Sequence, residues 1–233
     1  MNLLITIPGI GGDNFDLKQN ILKDNIDKIS KTFGGKVDVL IFNYSFDDFE
    51  AYFNDFDIIK KSGIVGEYLY KYVNPNKIEY DFYLIMLDDI ILSENFNTDY
   101  FVDLYNKYNL DIITPSLTKD SKFSHKFMLE NDEFKGKLRI VNFCECFFYL
   151  MNRESYIKYH KILDEKTYWL WGIDLCLDKL GFKMGLHNDY KIKHLYKGVS
   201  YSNNLPNPYV EMKDKESKYG KISDKINIKI VNI

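Results

Sequence analysis

Leu3 to Ile7 is an unbroken apolar run that stops at Pro8-Gly9 and Gly11-Gly12, the pattern of a strand buried on both faces that runs into a loop. Apolar residues then follow at helical spacing, at Leu17, Ile21, Leu22, Ile26 and Ile29, with Asp13 or Asn14 placed to cap the start and Gly34-Gly35 to end it. Val37 to Phe42 is a second buried strand. Strand, helix and strand in that order predict a parallel α/β sheet joined by right-handed crossovers. The alternation continues with a helix over Ile64 to Val73, a strand over Tyr83 to Leu87, a helix over Tyr100 to Tyr108 and a strand from Asp111 to Thr114. Further along, the pattern predicts one long aromatic strand over Ile140 to Leu150, a helix over Arg153 to Leu163 and an aromatic turn at Tyr168 to Trp171. A helix over Ile173 to Leu180 and a strand over Phe182 to Leu186 complete the core. Residues 198 to 222 are polar and turn-rich, with Pro206 and Pro208, and read as a loop or surface arm. The final INIKIVNI alternates with period two, as an edge strand does. The expected organisation is one domain over 1–197 with residues 198–233 packed on it as an arm or edge strand.

A chain of 233 residues and 27.6 kDa can bury roughly 70–75% of its unfolded surface in one core. With 31 Lys+Arg against 34 Asp+Glu, a net charge of -3 and a pI of about 5.9, it lacks the electrostatic footprint of a nucleic-acid binder. Arg139 and Arg153 are the only arginines, so a bound diphosphate would have few guanidinium forks to hold it, and a metal ion would help. The three cysteines, Cys144, Cys146 and Cys176, form no C-x-x-C pair and suggest a reducing, cytoplasmic setting rather than a disulfide framework. No apolar stretch approaches the ~20 residues of a membrane span, and MNLLITIPGIGG lacks the basic start of a signal peptide, so no transmembrane segment is expected.

Three constellations could carry chemistry. Asp88 and Asp89 close a buried strand, which puts two acids at the carboxyl edge of the sheet, where open α/β folds bind ligands. Adjacent side chains on extended backbone point to opposite faces, so one carboxylate could hold Mg²⁺ or Mn²⁺ while the other meets a ribose hydroxyl; equally, both could be solvated or cap the next helix. Trp169-Leu170-Trp171-Gly172-Ile173-Asp174 opens a helix and holds both tryptophans of the chain. Aromatic faces suit sugars, Gly172 frees the backbone for close approach, and the helix dipole would keep Asp174 anionic as a general base; a core position for the tryptophans and a plain first-turn acid is the other reading. His187-Asn188-Asp189 and then His194 follow the last core strand, and an imidazole there could serve as a metal ligand or be an ordinary satisfied histidine. Two weaker signals accompany them. Pro8-Gly9-Ile10-Gly11-Gly12 lacks G-x-G-x-x-G spacing but could be a ligand-approach loop, and Glu145 in an apolar run must face a pocket, a partner or solvent. Cys144-x-Cys146 lacks the further nearby ligands of a zinc site.

Together these residues resemble the GT-A glycosyltransferase fold, a single Rossmann-like α/β domain with a mostly parallel central sheet flanked by helices. YDFYLIMLDDI is similar to the strand bearing that fold's D-x-D metal motif, with Asp89 at the last acid and Leu87 where the first Asp would stand. Trp169 to Asp174 resembles the W-G-W-G-G-E-D segment of β-1,4-galactosyltransferases, whose acid is the acceptor base. A closer resemblance is to an uncharacterised group of glycosyltransferase-like domains found in plants and elsewhere, through T-P-S-L (Thr114 to Leu117) with Ser121, Ser124 and His125, then Val141, Phe143, Glu145 and Arg153, W-G-x-D, and Asp189 with His194. The resemblance implies a metal-dependent, inverting hexosyl- or deoxyhexosyltransferase that uses a nucleotide-diphosphate sugar and a carbohydrate or glycoconjugate acceptor. It assigns Asp89 and His194 to Mn²⁺ or Mg²⁺ and Asp174 to base catalysis; on that basis Pro8, Gly9, Gly11 and Asp88 are expected to meet the nucleotide, and Glu145, Trp171 and Gly172 the acceptor. The competing expectations are a catalytically inactive carbohydrate- or nucleotide-binding module and a phosphohydrolase built on Asp88 and Asp89.

Overall fold

β1 (Asn2–Ile10) is buried without interruption from Leu3 to Pro8, and the sheet is organised around it. The computed structural model describes residues 1–123, 125–195, 207–220 and 226–233. After β1 come α1 (Phe15–Thr32), β2 (Lys36–Asn43), β3 (Asp57–Lys60), α2 (Val65–Tyr72), β4 (Phe82–Met86), β5 (Ile90–Leu92), α3 (Thr98–Lys107) and β6 (Ile112–Leu117). The second half holds β7 (Lys137–Val141), β8 (Phe148–Asn152), α4 (Arg153–His160), α5 (Ile173–Cys176), β9 (Met184–His194), α6 (Pro208–Tyr219) and β10 (Ile228–Asn232). One sheet runs in the order β10-β7-β9-β6-β8-β4-β1-β2-β3, with β5 paired to β9 off this path. β1, β2, β3, β4, β6, β9 and β10 run in one direction and β5, β7 and β8 against them, so the sheet is mixed, with the parallel runs β4-β1-β2-β3 and β6-β9 on either side of the antiparallel β8. The consequence for function is that β1, β2, β4 and β9 all end on the same edge of the sheet.

The helices start where the backbone donors find acceptors. Asn97 accepts from Tyr100 N–H at the head of α3, and Asn152 accepts from Ser155 N–H at the head of α4. At the head of α1 Asn14 takes the cap position in a left-handed conformation, without a side-chain cap bond. α4 is fixed to β4 by Tyr83 and Tyr156, whose rings stack with centroids 4.2 Å apart. Leu84 is fully buried at the centre of β4, between β1 and β8. Leu84→Ala is expected to cost about 2–5 kcal/mol, read as a lower urea midpoint at unchanged slope.

Four expectations need correction. The apolar run from Ile140 to Leu150 is two strands, because β9 and β6 lie between β7 and β8 in the sheet. The chain must cross over them through residues 142–147, and that crossing is buried at Asn142, Phe143, Cys144 and Glu145, which made it look like strand. Pro8 and Gly9 belong to β1 rather than to the loop, and the register with β2 slips between Ile7 and Ile10. β9 runs on to His194, so His187 to Asp189 sit inside a strand whose register with β6 jumps from His187 opposite Pro115 to Lys191 opposite Ser116. Within the polar stretch read as a loop, residues 208–219 form α6, with Pro208 in its first turn and the Asn207 side chain accepting from Tyr209 N–H. α6 carries almost no apolar stripe because the face it buries includes Glu211 and Lys215. The rest of that stretch, 198–206 and 221–222, lies outside the described residues. β10 forms the sheet edge against β7.

Candidate active site

The chain leaves β4 at Met86, and Leu87 N–H is held by Phe147 C=O at 3.1 Å. Asp88 and Asp89 then diverge, each toward a partner from a distant part of the chain. β5 begins at the next residue and pairs antiparallel with the end of β9, placing Ile90 opposite His194. Leu195 N–H also donates to Asp89 C=O at 3.0 Å. This ladder brings His194 Nε2 to 3.1 Å from Asp89 Oδ2, although the two residues are 105 apart in the chain. His194 Nδ1 lies 2.8 Å from Lys122 C=O, which makes Nδ1 the protonated nitrogen and turns Nε2 toward the carboxylate. Burial would lower the His194 pKa, but the hydrogen bond and charge of Asp89 raise it above the usual value. The other Asp89 oxygen, Oδ1, is buried with no hydrogen-bond partner among the described residues.

Asp88 Oδ2 lies 3.0 Å from Lys18 Nζ, and both side chains are only 13–15% exposed. Burial raises the Asp88 carboxyl to about 6; Lys18 opposes the rise and the neighbouring Asp89 adds to it. Burial, the largest single influence, would lower Lys18, but the charge and hydrogen bond of Asp88 together with Tyr44 and Asp89 outweigh it and raise the ammonium. Lys18 Nζ also donates to Gly11 C=O at 3.0 Å, and Tyr44 Oη donates to the same carbonyl at 2.8 Å. The carboxyl ends of β1, β2 and β4 are thereby tied through one cation and one phenol. Gly11 has φ 150°, and a Cβ there would lie 2.3 Å from Ser45 Oγ. Sequence reasoning missed Lys18 and Tyr44. The only signal was a lysine one turn into the helix that follows a glycine-rich loop. Lys18→Met should drive Asp88 toward its protonated form at neutral pH, since its one opposing charge is lost. A rise of the Asp88 carboxyl above about 6, followed by NMR titration, checks this.

Glu145 lies in the crossing between β7 and β8, 9% exposed, and its Oε1 accepts from His125 N–H at 3.1 Å. Its charge acts on both Asp174 and His194, so the proposed base and the Asp89–His194 pair share one neighbourhood. Asp174 keeps part of its surface open, and its Oδ1 accepts from Leu175 N–H at 2.9 Å. The expectation that a helix dipole holds it anionic is corrected: α5 has four residues, and burial followed by the Glu145 charge raises the carboxyl to about 7. Trp171 packs edge-on to Tyr209 of α6 with centroids 5.3 Å apart. Gly172 has φ 87°, and a Cβ there would lie 2.8 Å from Met212 Cα, so the close approach that requires glycine is made by α6 rather than by a ligand.

The other candidates lie elsewhere. His187 is buried, its ring 4.8 Å from that of Tyr190 and 5.5 Å from that of Phe101, and its Nδ1 accepts from Tyr190 N–H. Burial lowers it to about 4 and leaves it neutral. Asp189 Oδ2 accepts from Gly136 N–H at 2.8 Å. Arg139 is buried in β7 and donates to Ser116 Oγ and to the carbonyls of Phe127 and Leu129, while Arg153 pairs with Glu79, so neither guanidinium reaches the Asp88-Asp89 edge. Burial pushes the Cys144 and Cys146 thiols up. Ser124 lies outside the described residues. A cleft of about 580 Å³ beside the Gly11-Gly12 loop is lined by Asn14, Phe15, Asp16, Leu17, Asp47 and Asp48.

Could Asp89 and His194 hold a metal? A carboxylate oxygen without a partner and an imidazole nitrogen whose tautomer is set by a carbonyl behind it suit a divalent cation of the Mn²⁺ class. Among the described residues no three His, Cys, Asp or Glu side chains converge, so the remaining ligands would be substrate oxygens and water. No helix among the described residues is long and apolar enough to cross a membrane.

No family model matches the chain. No curated protein matches it either. Solved structures do. The crystal structure of GalNAc-T7 with UDP, GalNAc and Mn²⁺ superposes with a TM-score of 0.59 at 7% identity, over 88% of this chain and 45% of that one. The structure of S. aureus TarS 1-349 in complex with UDP-GlcNAc superposes with a TM-score of 0.56 at 12% identity, over 94% of this chain and 65% of that one. The fold is that of the GT-A glycosyltransferases, and the chain spans less than two thirds of the length of either structure. These neighbours support the GT-A fold and give no particular support to the plant group.

Proposed function

We propose that this protein is a metal-assisted glycosyltransferase that moves a sugar from a nucleotide-diphosphate sugar to an acceptor hydroxyl. The observation that carries the reading is the Asp89–His194 pair at the sheet edge, a 3.1 Å contact that only the β5–β9 ladder makes possible. Two further features add to it: the Lys18–Asp88 pair on the side of the Gly11 loop, and Asp174, on which the Glu145 charge acts. The GT-A neighbours were solved with UDP or UDP-GlcNAc, which supports a nucleotide donor here.

In this reading Asp89 and His194 hold Mn²⁺ or Mg²⁺, which when bound neutralises charge on the diphosphate leaving group. Asp88, kept ionised by Lys18, accepts hydrogen bonds from the ribose, and the Gly11 loop with Pro8 and Gly9 behind it lies against the nucleotide. Asp174 takes the proton of the acceptor hydroxyl as that oxygen bonds to the anomeric carbon and the bond from that carbon to the diphosphate oxygen breaks. In-line attack of this kind inverts the configuration. A carboxyl near 7 is half ionised at neutral pH, the optimum for a general base working there. In the same reading Glu145 and Trp171 receive the acceptor, while Gly172, covered by α6, serves the shape of the turn.

Thermal-shift screening of UDP, GDP and CDP sugars with Mn²⁺ and with chelator tests this, because a ligand that binds only the native state raises its Tm. Metal-dependent stabilisation by one nucleotide class, followed by transfer to an acceptor, is the expected result. A second reading, a binding module without turnover, is favoured by Leu87 standing where D-x-D has its first acid. It predicts nucleotide binding but no release of nucleoside diphosphate with any acceptor.

A further inference from the structure

α6 meets the Trp-Gly-x-Asp turn through four contacts spread along one helix. Glu211, 5% exposed, accepts through Oε2 from two consecutive backbone amides, Tyr168 N–H at 3.0 Å and Trp169 N–H at 2.8 Å. Lys215, one turn on and fully buried, donates to Asp164 Oδ2 at 2.9 Å and Thr167 Oγ1 at 2.8 Å, at the start of the same turn. Met212 covers Gly172, and Tyr209 packs on Trp171. Between the amides held by Glu211 and Gly172 lies Leu170, buried and left-handed at φ 64°. A leucine holds that conformation only where its surroundings over-determine it. Consecutive amides that point at one carboxylate form an anion-binding concavity, and here its occupant comes from α6.

The arrangement is electrostatically expensive unless it has a task. A carboxylate and an ammonium are both removed from water on a surface helix that has little apolar face of its own. Plain packing of α6 would be served as well by leucines. What the two charges add is direction: Glu211 fixes where the amides of Tyr168 and Trp169 point, and Lys215 fixes Asp164. Those two anchors, with Gly172, set the path of the chain into Asp174.

We infer that Glu211 and Lys215 are positioning residues that hold the left-handed Leu170 turn, and through it Trp171 and Asp174, in the geometry used for acceptor attack. The catalytic half of this statement rests on the glycosyltransferase reading; the structural half does not. Trp169 and Trp171 are the only tryptophans in the chain, so intrinsic Trp fluorescence reports on this turn alone. Glu211→Ala, with far-UV circular dichroism showing a folded chain, should red-shift the emission and raise acrylamide quenching about twofold as the turn loosens locally. Glu211→Gln, which keeps an oxygen for the two amides, should restore the wild-type spectrum. Lys215→Met, which keeps the aliphatic stem, should loosen the turn as Glu211→Ala does and gives a second route should the alanine variant unfold.

Transfer assays on the same full-length variants supply the other arm. Glu211→Ala should lower kcat by about 100-fold, the cost of a displacement near 1 Å, with nucleotide affinity and its metal dependence unchanged. Glu211→Gln should recover most of it. Wild-type emission and quenching in folded Glu211→Ala, or a Gln variant as damaged as the Ala one, overturns the inference. Absence of transfer by the wild-type protein overturns the glycosyltransferase reading instead, and the fluorescence result still decides whether these residues position the turn.

Discussion

Asp174→Asn lowers turnover by roughly 10²–10⁴-fold with nucleotide affinity unchanged, the expected result if this carboxylate is the acceptor base. The amide keeps the shape and the hydrogen bond from Leu175 but accepts no proton. Two pH measurements sharpen the test. With the carboxyl near 7, wild-type activity should fall as pH drops through 7, and this limb should be absent from whatever activity the variant retains. Stability runs the other way. The folded state holds the Asp174 proton up to about 7, whereas in the unfolded chain it leaves near 4, so stability declines as pH rises from about 4 to about 7 and stays lower above that. Asparagine carries no such penalty. Asp174→Asn should therefore melt above wild type at pH 8, and the difference should close toward pH 4. Full turnover in the variant would remove Asp174 from the mechanism.

Asp89→Ala and His194→Ala should each abolish the metal dependence of nucleotide binding, followed by calorimetric titration of nucleoside diphosphates with and without Mn²⁺. Both side chains are 11–14% exposed and 3.1 Å apart, so their effects should be strongly non-additive. The double variant should bind no worse than either single one. Additive losses would mean that the two residues act on different parts of the ligand. His194→Ala also opens space beside Phe147, whose ring centroid is 4.4 Å from the imidazole, so a Tm drop is expected and must be separated from the binding effect. His194→Gln fills part of that space without restoring the imidazole nitrogen.

The candidate site divides the residues named from sequence into three groups. Asp88, Asp89, His194, Glu145 and Asp174 fall into linked clusters. Pro8, Gly9 and Gly172 serve the backbone: the first two lie in β1 and the third lets α6 approach. His187 and Asp189 are packing and strand residues, and the two arginines are engaged elsewhere. The pattern has a physical cause. Glycine and aromatic residues serve tight packing as often as ligand approach, and composition does not separate the two uses. A carboxylate at the end of a buried strand is more discriminating, since only a partner or a ligand repays its burial.

Some features were fixed by the order of residues alone. Buried strands at Leu3 to Ile7, Val37 to Phe42 and Tyr83 to Leu87, with helical spacing between them, required a parallel sheet, because a strand apolar on both faces needs helices above and below. Such a sheet puts Asp88 and Asp89 at its carboxyl edge. Tertiary structure decided the rest. Apolar continuity over Ile140 to Leu150 does not reveal that two other strands lie between its ends, and α6 has no periodicity to read because it buries paired charges. The partners of the two acids were also beyond reach: Lys18 is 70 residues before Asp88 and His194 is 105 after Asp89. Strand register sets the second pairing and the packing of α1 against the sheet sets the first, and both are properties of the whole fold rather than of any local stretch of chain.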